Sequence, residues 1–269
     1  MRNLFLSLAY TVAFTAMTLM TGNKAKAAEP DKSCYELRVY YANEGKLDDL
    51  HARFRDHTVK LFTKHGMKNI GYWVPLDNPE NKLIYILSYP SREARESSWK
   101  AFVADPEWKE AKAASEKNGA LVAKVESTFM QATDYSKLEQ AYDLRAMKAG
   151  KSEAARVFEL RTYTATPNNL GNLNARFRDH TVRLFTKHGM TNIGYWNLMK
   201  DQKDADITLV YILAHKSREA AKEGFKAFGT DPEWTKARKE SEEKGGGPLT
   251  IKGGVKSVFM VPTDYSPMR

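Results

Sequence analysis

The chain is written twice, and this internal repeat limits its architecture more than any other feature. Tyr35-Glu36-Leu37-Arg38-Val39-Tyr40 returns 123 residues later as Phe158-Glu159-Leu160-Arg161-Thr162-Tyr163. Between Ala52 and Trp73 only Lys60/Arg183 and Lys68/Thr191 differ from the second copy. After a three-residue insertion, Asp105-Pro106-Glu107-Trp108 recurs as Asp231-Pro232-Glu233-Trp234, and Thr133-Asp134-Tyr135-Ser136 recurs as Thr263-Asp264-Tyr265-Ser266. Units of this size can each hold a core of their own, so the chain is a tandem duplication and not a solenoid. The units are placed at 33–136 and 156–266, with 137–155 as a partly helical linker.

Each copy has the same order of elements. In the first, 35–41 alternates as a strand, and Leu47, Leu50, Phe54, Thr58, Leu61 and Phe62 then recur at helical spacing. Asn43 is expected to cap that helix, with Thr166-Pro167 as its counterpart, and Gly66 to stop it. Strands at 69–74 and 83–89 flank a loop at 77–81. A helix follows from Ser91, another starts at Asp105 with Pro106 in its first turn, and 122–131 is the fourth strand. The order β-α-β-β-α-β is that of a ferredoxin-like unit, with strands one and three central. In strand three, Leu83, Tyr85 and Leu87 point one way and Ile84 and Ile86 the other, so both faces are apolar. Helices cover one face only. The other must meet a second sheet, and the twin supplies it, giving a closed eight-stranded sheet. The fold class is therefore α+β, two ferredoxin-like units packed as one barrel. The segment 245–254 is rich in glycine only in the second copy and reads as a loop insertion. It lacks the Gly-Lys-Ser/Thr ending of a phosphate cradle.

The first residues read as a signal peptide, 1–27: Arg2, an apolar stretch from Leu4 to Met20, and Ala25-Lys26-Ala27 before the cut. The protein is thus expected to be secreted or periplasmic, with no membrane span once the signal is removed. Loss of Arg2, Lys24 and Lys26 lowers the formal charge from +9 to +6. Acids and bases alternate along the helices, as in Arg238-Lys239-Glu240, which is a solvated pattern and argues against a nucleic-acid partner. Cys34 is the only cysteine, so no internal disulfide exists; it is read as a quiet thiol at the start of a strand.

Several motifs, in the same order in both copies, resemble the NIPSNAP family. They are Tyr-Glu-Leu-Arg-x-Tyr at 35–40, Gly71-Tyr72-Trp73, Ser91-Arg92-Glu93-Ala94-Arg95 and Asp-Pro-Glu-Trp. In the second copy Phe158 replaces the first tyrosine, and Lys222 stands where Glu96 predicts an acid. The resemblance implies the dimeric α+β barrel superfamily, here with both halves in one chain. It implies no settled activity. The expected role is that of an exported protein binding a small ligand or a protein partner through a polar barrel pocket. The alternative is a cofactor-independent oxygenase or isomerase with His57/His180 or Glu36/Glu159 as base, and superfamily analogy adds a haem binder as a third reading.

The candidate pocket residues come from strand one and the first helix. Glu36, Arg38 and Tyr40, with Glu159, Arg161 and Tyr163, share one strand face, which is expected to look into the barrel while Leu37 and Val39 pack on helices. Two charges per copy in such an interior must pair; an ion-pair network fixing the two sheets is the preferred reading, a poised carboxylate or anion site the functional one. Arg53 and His57, repeated as Arg176 and His180, are spaced i, i+4 and would reach the cleft mouth. His65 is expected to support its helix end through the dipole. No metal or cofactor is expected: His57 and His65 lie about 12 Å apart along a helix, and no Cys pair or His-Glu-x-x-His occurs.

Overall fold

The computed structural model describes residues 33–138 and 156–269. Residues 1–27, expected to be a signal peptide, and connector residues 139–155 lie outside the described residues. Alternating β-branched and aromatic residues build four strands per copy. They are β1 (Cys34–Ala42), β2 (Lys68–Pro75), β3 (Lys82–Tyr89) and β4 (Val122–Ala132), then β5 (Val157–Ala165), β6 (Thr191–Leu198), β7 (Thr208–His215) and β8 (Thr250–Pro262). All pairings are antiparallel, and the sheet closes in the order β1-β3-β2-β8-β5-β7-β6-β4. Each copy is thus the expected ferredoxin-like sheet with strands one and three central. Two short seams join the copies: Trp73–Pro75 against Met260–Pro262, and Met130–Ala132 against Trp196–Leu198.

The helices lie outside the barrel: α1 (Leu47–Arg53), α2 (Val59–Lys64), α3 (Arg92–Ala104) and α4 (Pro106–Ser115), repeated as α5 (Leu170–Arg176), α6 (Val182–Lys187), α7 (Arg218–Thr230) and α8 (Pro232–Lys244). Ser91 caps α3 by accepting from the Ala94 amide, and Asp105 caps α4 from Glu107, with Pro106 at the first helical position as expected. Gly66, at φ 77°, ends α2. Asn43 is not a cap. Its amide donates to the Ala120 carbonyl, and Lys46 precedes α1 without a side-chain cap; in the second copy Asn169 holds that place and Thr166 bonds Pro248. The glycine insertion is only partly a loop, since β8 begins at Thr250 and takes in Gly253 and Gly254.

Three apolar layers hold the molecule together. The barrel interior is filled from both copies by Leu37, Ile84, Ile86 and Trp73 on one side and Leu160, Val210, Ile212 and Trp196 on the other. Trp73 meets Phe158 at 5.6 Å and Trp196 meets Tyr35 at 5.8 Å, each contact crossing between copies. Each helix pair has its own layer, built on Leu50, Phe54, Phe62, Tyr85 and Phe102 in the first copy and on their counterparts in the second. Gly-Tyr-Trp owes its glycine to this packing. The Trp73 ring folds back over Gly71 so closely that a Cβ there would lie 2.2 Å from the ring, and Gly194 stands in the same relation to Trp196.

Beyond β4 and β8 the chain crosses to the opposite copy. Arg178 holds Asp134 with two bonds of 2.6 Å, Tyr135 donates to Asn174 at 2.7 Å, and Ser136 accepts from the Tyr195 amide. Reciprocally, Arg55 holds Asp264, Tyr265 and His51 share a bond of 2.7 Å, and Ser266 accepts from the Tyr72 amide. Leu138 and Met268, at equivalent positions, then join the interior layer. The repeated Thr-Asp-Tyr-Ser is therefore a mutual clasp. Its exposed ion pairs add little, and its rings, buried at Tyr135 and half-buried at Tyr265, add more. Arg55→Ala is expected to cost under about 1 kcal/mol, and Tyr265→Ala about 3 kcal/mol, measured by urea unfolding.

Candidate functional site

The face of β1 that carries Glu36, Arg38 and Tyr40 points at the helices, not into the barrel. The register decides this: Glu36 lies opposite Leu87 and Arg38 opposite Tyr85, while Leu37 and Val39 lie opposite Ile86 and Ile84. Cross-strand partners share a face, so the charged residues join the helix layer and Leu37 joins the barrel interior. A polar barrel pocket is accordingly absent from the described residues, and the expected orientation of strand one is reversed.

In the first copy Glu36 has 0% exposure and is surrounded by donors from four elements. One oxygen accepts from Arg38, from Arg95 Nη2 at 2.8 Å and from Ser127 at 2.6 Å. The other accepts from Tyr89 at 2.9 Å, Arg95 Nε at 3.1 Å and Trp99 Nε1 at 3.2 Å. Arg38 also donates to Tyr85 and lies 4.3 Å from the Trp99 ring. Burial alone would raise the Glu36 carboxyl, but the bonds from Arg95 and the charge of Arg38 reverse this and hold it at about 2. Such a carboxylate is a weak base with no free lone pair. The Ser-x-Glu-Ala-Arg motif now has a physical reason: Ser91 starts α3 so that Arg95, one turn on, reaches β1. Arg95, Tyr89, Trp99 and Ser127 were not among the candidates, although that motif pointed to Arg95.

The pH dependence follows from this. The Glu36 pKa is depressed on folding, so its stabilising contribution is complete above the ordinary value of 4.5 and is lost as the pH falls through about 2. Wild type and Glu36→Gln are expected to differ in urea midpoint at neutral pH and to converge across that window.

The second copy keeps the carboxylate but changes its surroundings. Glu159 accepts from Arg161, from Ser257 at 2.5 Å and from His215 at 3.0 Å. His215 replaces Tyr89, Ala221 replaces Arg95 and Phe225 replaces Trp99. Burial works to raise the Glu159 carboxyl; bonding to His215 and the charge of Arg161 lower it. Arg161 Nε and Tyr211 Oη, whose counterparts Arg38 and Tyr85 bond to each other, have no partner. Tyr163 accepts from Arg161 at 3.2 Å, as Tyr40 lies 3.5 Å from Arg38.

Arg53 and His57 part company. A π turn at Phe54–Thr58 interrupts the first helix, and its counterpart at Phe177–Thr181 the second. The wider turn carries one residue more. Arg53 is buried against α4, where it meets Glu116 at 2.8 Å and lies over Trp108 at 5.3 Å, whereas His57 is exposed and His180 half-buried. The same turn aims Arg55 and Arg178 at the clasp. His65 bonds Asp105, the cap of α4, at 2.7 Å. Cys34 is buried on the helix side of β1, and burial pushes its thiol up to about 11, with Arg92 opposing.

Arg176, the twin of Arg53, is less well paired. Its side chain is 6% exposed and Glu242 is 3.8 Å away, against 2.8 Å between Glu116 and Arg53; the Nε lacks a partner in both copies. Burial lowers its pKa. Its guanidinium lies 5.1 Å from the Trp234 ring. Trp234 also lines an open cleft of about 710 Å³ formed by one face of α8, Gly229 at the end of α7, and Gly246 and Gly247 of the loop after α8. Arg238, Lys239, Glu242 and Glu243 complete its wall.

The family model for NIPSNAP matches residues 35–137 and again 158–267, which is most of the chain. The chain belongs to the NIPSNAP family. A comparison with curated proteins finds no match. Among solved structures, an uncharacterized NIPSNAP-like domain protein from Burkholderia xenovorans is 18% identical, covering 39% of this chain and 90% of its own, with a TM-score of 0.36. A structure described as a putative monooxygenase from Lactobacillus acidophilus is 11% identical, covers 86% of this chain and 94% of its own, and has a TM-score of 0.53. Another so described, from Fusobacterium nucleatum, is 10% identical, covers 86% and 92%, and has a TM-score of 0.52. At these identities the likeness is one of fold: a tandem NIPSNAP chain builds the dimeric α+β barrel from its own two halves. No helix of the described residues is long and apolar enough to cross a membrane.

Proposed function

We propose that this NIPSNAP chain is an exported binding protein that holds a small ligand in the cleft of its second half. One observation carries the reading. The copies share their barrel, clasp and buried carboxylates, and they diverge where the cleft is: Gly229 stands for Val103, and the loop that holds Gly246 and Gly247 is two residues longer than its counterpart before Leu121. Duplication frees one copy to keep the scaffold while the other acquires a site. The oxygenase or isomerase reading needs a reachable base in a pocket; Glu36 and Glu159 are both buried and committed to donors, which leaves it only His57 and His180, on the helices outside the barrel.

Mass spectrometry of the protein purified from a native extract tests the reading. A small molecule released from wild type and missing from Gly229→Val supports it; retention of only a protein partner would replace it. Export is tested on the same material. The mature N-terminus is expected at Ala28 in the extracytoplasmic fraction, and an intact Met1 recovered from the cytoplasm would contradict it.

A further inference from the structure

We propose that the second-half cleft takes a small aromatic carboxylate, its ring against Trp234 in the space above Gly229 and its charge on Arg238. This rests on the cleft being the ligand site.

Three features of the cleft support that chemistry. Gly229 lies in the last turn of α7 without the positive φ that would call for glycine. A Cβ there would meet nothing within 4 Å, and the first copy has Val103 at that place, 55% exposed. Glycine weakens a helix relative to alanine, and no packing demand offsets it. What it provides is room beside an aromatic ring.

The charge around the cleft favours an anion. The wall itself is balanced, Arg238 and Lys239 against Glu242 and Glu243, and the buried Arg176 behind it supplies one further cation. Glu242 is divided between Arg238 at 3.5 Å and the buried Arg176 at 3.8 Å. In the first copy Glu116 commits to Arg53 at 2.8 Å and leaves Lys112 at 3.9 Å. A ligand carboxylate on Arg238 would release Glu242 to pair with Arg176 as Glu116 pairs with Arg53. Binding and the relief of an under-paired buried guanidinium are then one event. The loop amides do not compete for the anion, because the Gly246 and Gly247 N–H groups donate to the Glu243 and Glu242 carbonyls at the end of α8.

Isothermal titration of the mature chain with benzoate, benzyl alcohol and inorganic phosphate tests this, using wild type, Gly229→Val and Arg238→Gln. Benzoate is expected to bind at least about tenfold more tightly than either other probe, and each variant to weaken it about tenfold or more. The melting temperature of Gly229→Val should be unchanged or raised, which separates lost binding from misfolding. Equal binding of benzoate and benzyl alcohol overturns the carboxylate assignment while the cleft remains the site. Equal binding of phosphate reduces it to a plain anion site and overturns the aromatic part. Benzoate binding untouched by Gly229→Val moves the ligand elsewhere and overturns both readings, and no benzoate binding overturns this one.

Discussion

Replacing Gly71 with alanine is expected to destabilise the protein by about 3 kcal/mol or more and to lower the melting temperature by about 10 °C. A methyl group there would sit 2.2 Å from the Trp73 ring, too close for any small adjustment. The ring would have to leave the barrel interior, where it has 0% exposure and touches Phe158 of the other copy. The damage therefore spans both halves. Calorimetry should show one transition moving down as a whole, and the equivalent Gly194→Ala should behave alike. A shift under about 1 kcal/mol would mean that the indole does not lie over the glycine.

Replacing Glu36 with alanine is expected to cost about 3–5 kcal/mol, the loss typical when one partner of a buried ion pair is removed. The carboxylate is the common acceptor for Arg38, Arg95, Tyr89, Trp99 and Ser127, so its removal leaves Arg38 without its counter-charge and Arg95 with only the exposed Glu96. Glu159→Ala should cost less, because Ala221 and Phe225 have already removed two of the corresponding donors. Urea unfolding of the two single variants measures the difference. Equal losses would show that Arg95 and Trp99 add nothing to the network.

Much of this fold can be read from residue order. The repeat and the doubly apolar strand at Leu83 to Tyr89 demand a second sheet, and Ile84 and Ile86 do lie between the copies. Strand one is harder. A period of two shows that Glu36 and Arg38 share a face but not which face it is; only their alignment opposite Leu87 and Tyr85 settles that. Placing His57 beside Arg53 assumed ordinary helical spacing, and the π turn at Phe54–Thr58 breaks it. Thr-Asp-Tyr-Ser was visible as a repeat, yet nothing local says that each copy's segment docks on the other. The cleft was the least legible feature because it arises from differences, a glycine for a valine and an inserted loop, where attention to the repeat favours likeness.

The central claim is that both halves close one barrel within a single chain, and a cross-link across the seam tests it most directly. Gln131 and Asn197 are register partners on β4 and β6 of different copies. In a Cys34→Ser background, Gln131→Cys with Asn197→Cys should form an intramolecular disulfide on mild oxidation, seen as a loss of two hydrogens in the intact monomer mass. Free thiols that persist under those conditions, or a bridge found only between two chains, would contradict the closed single-chain barrel.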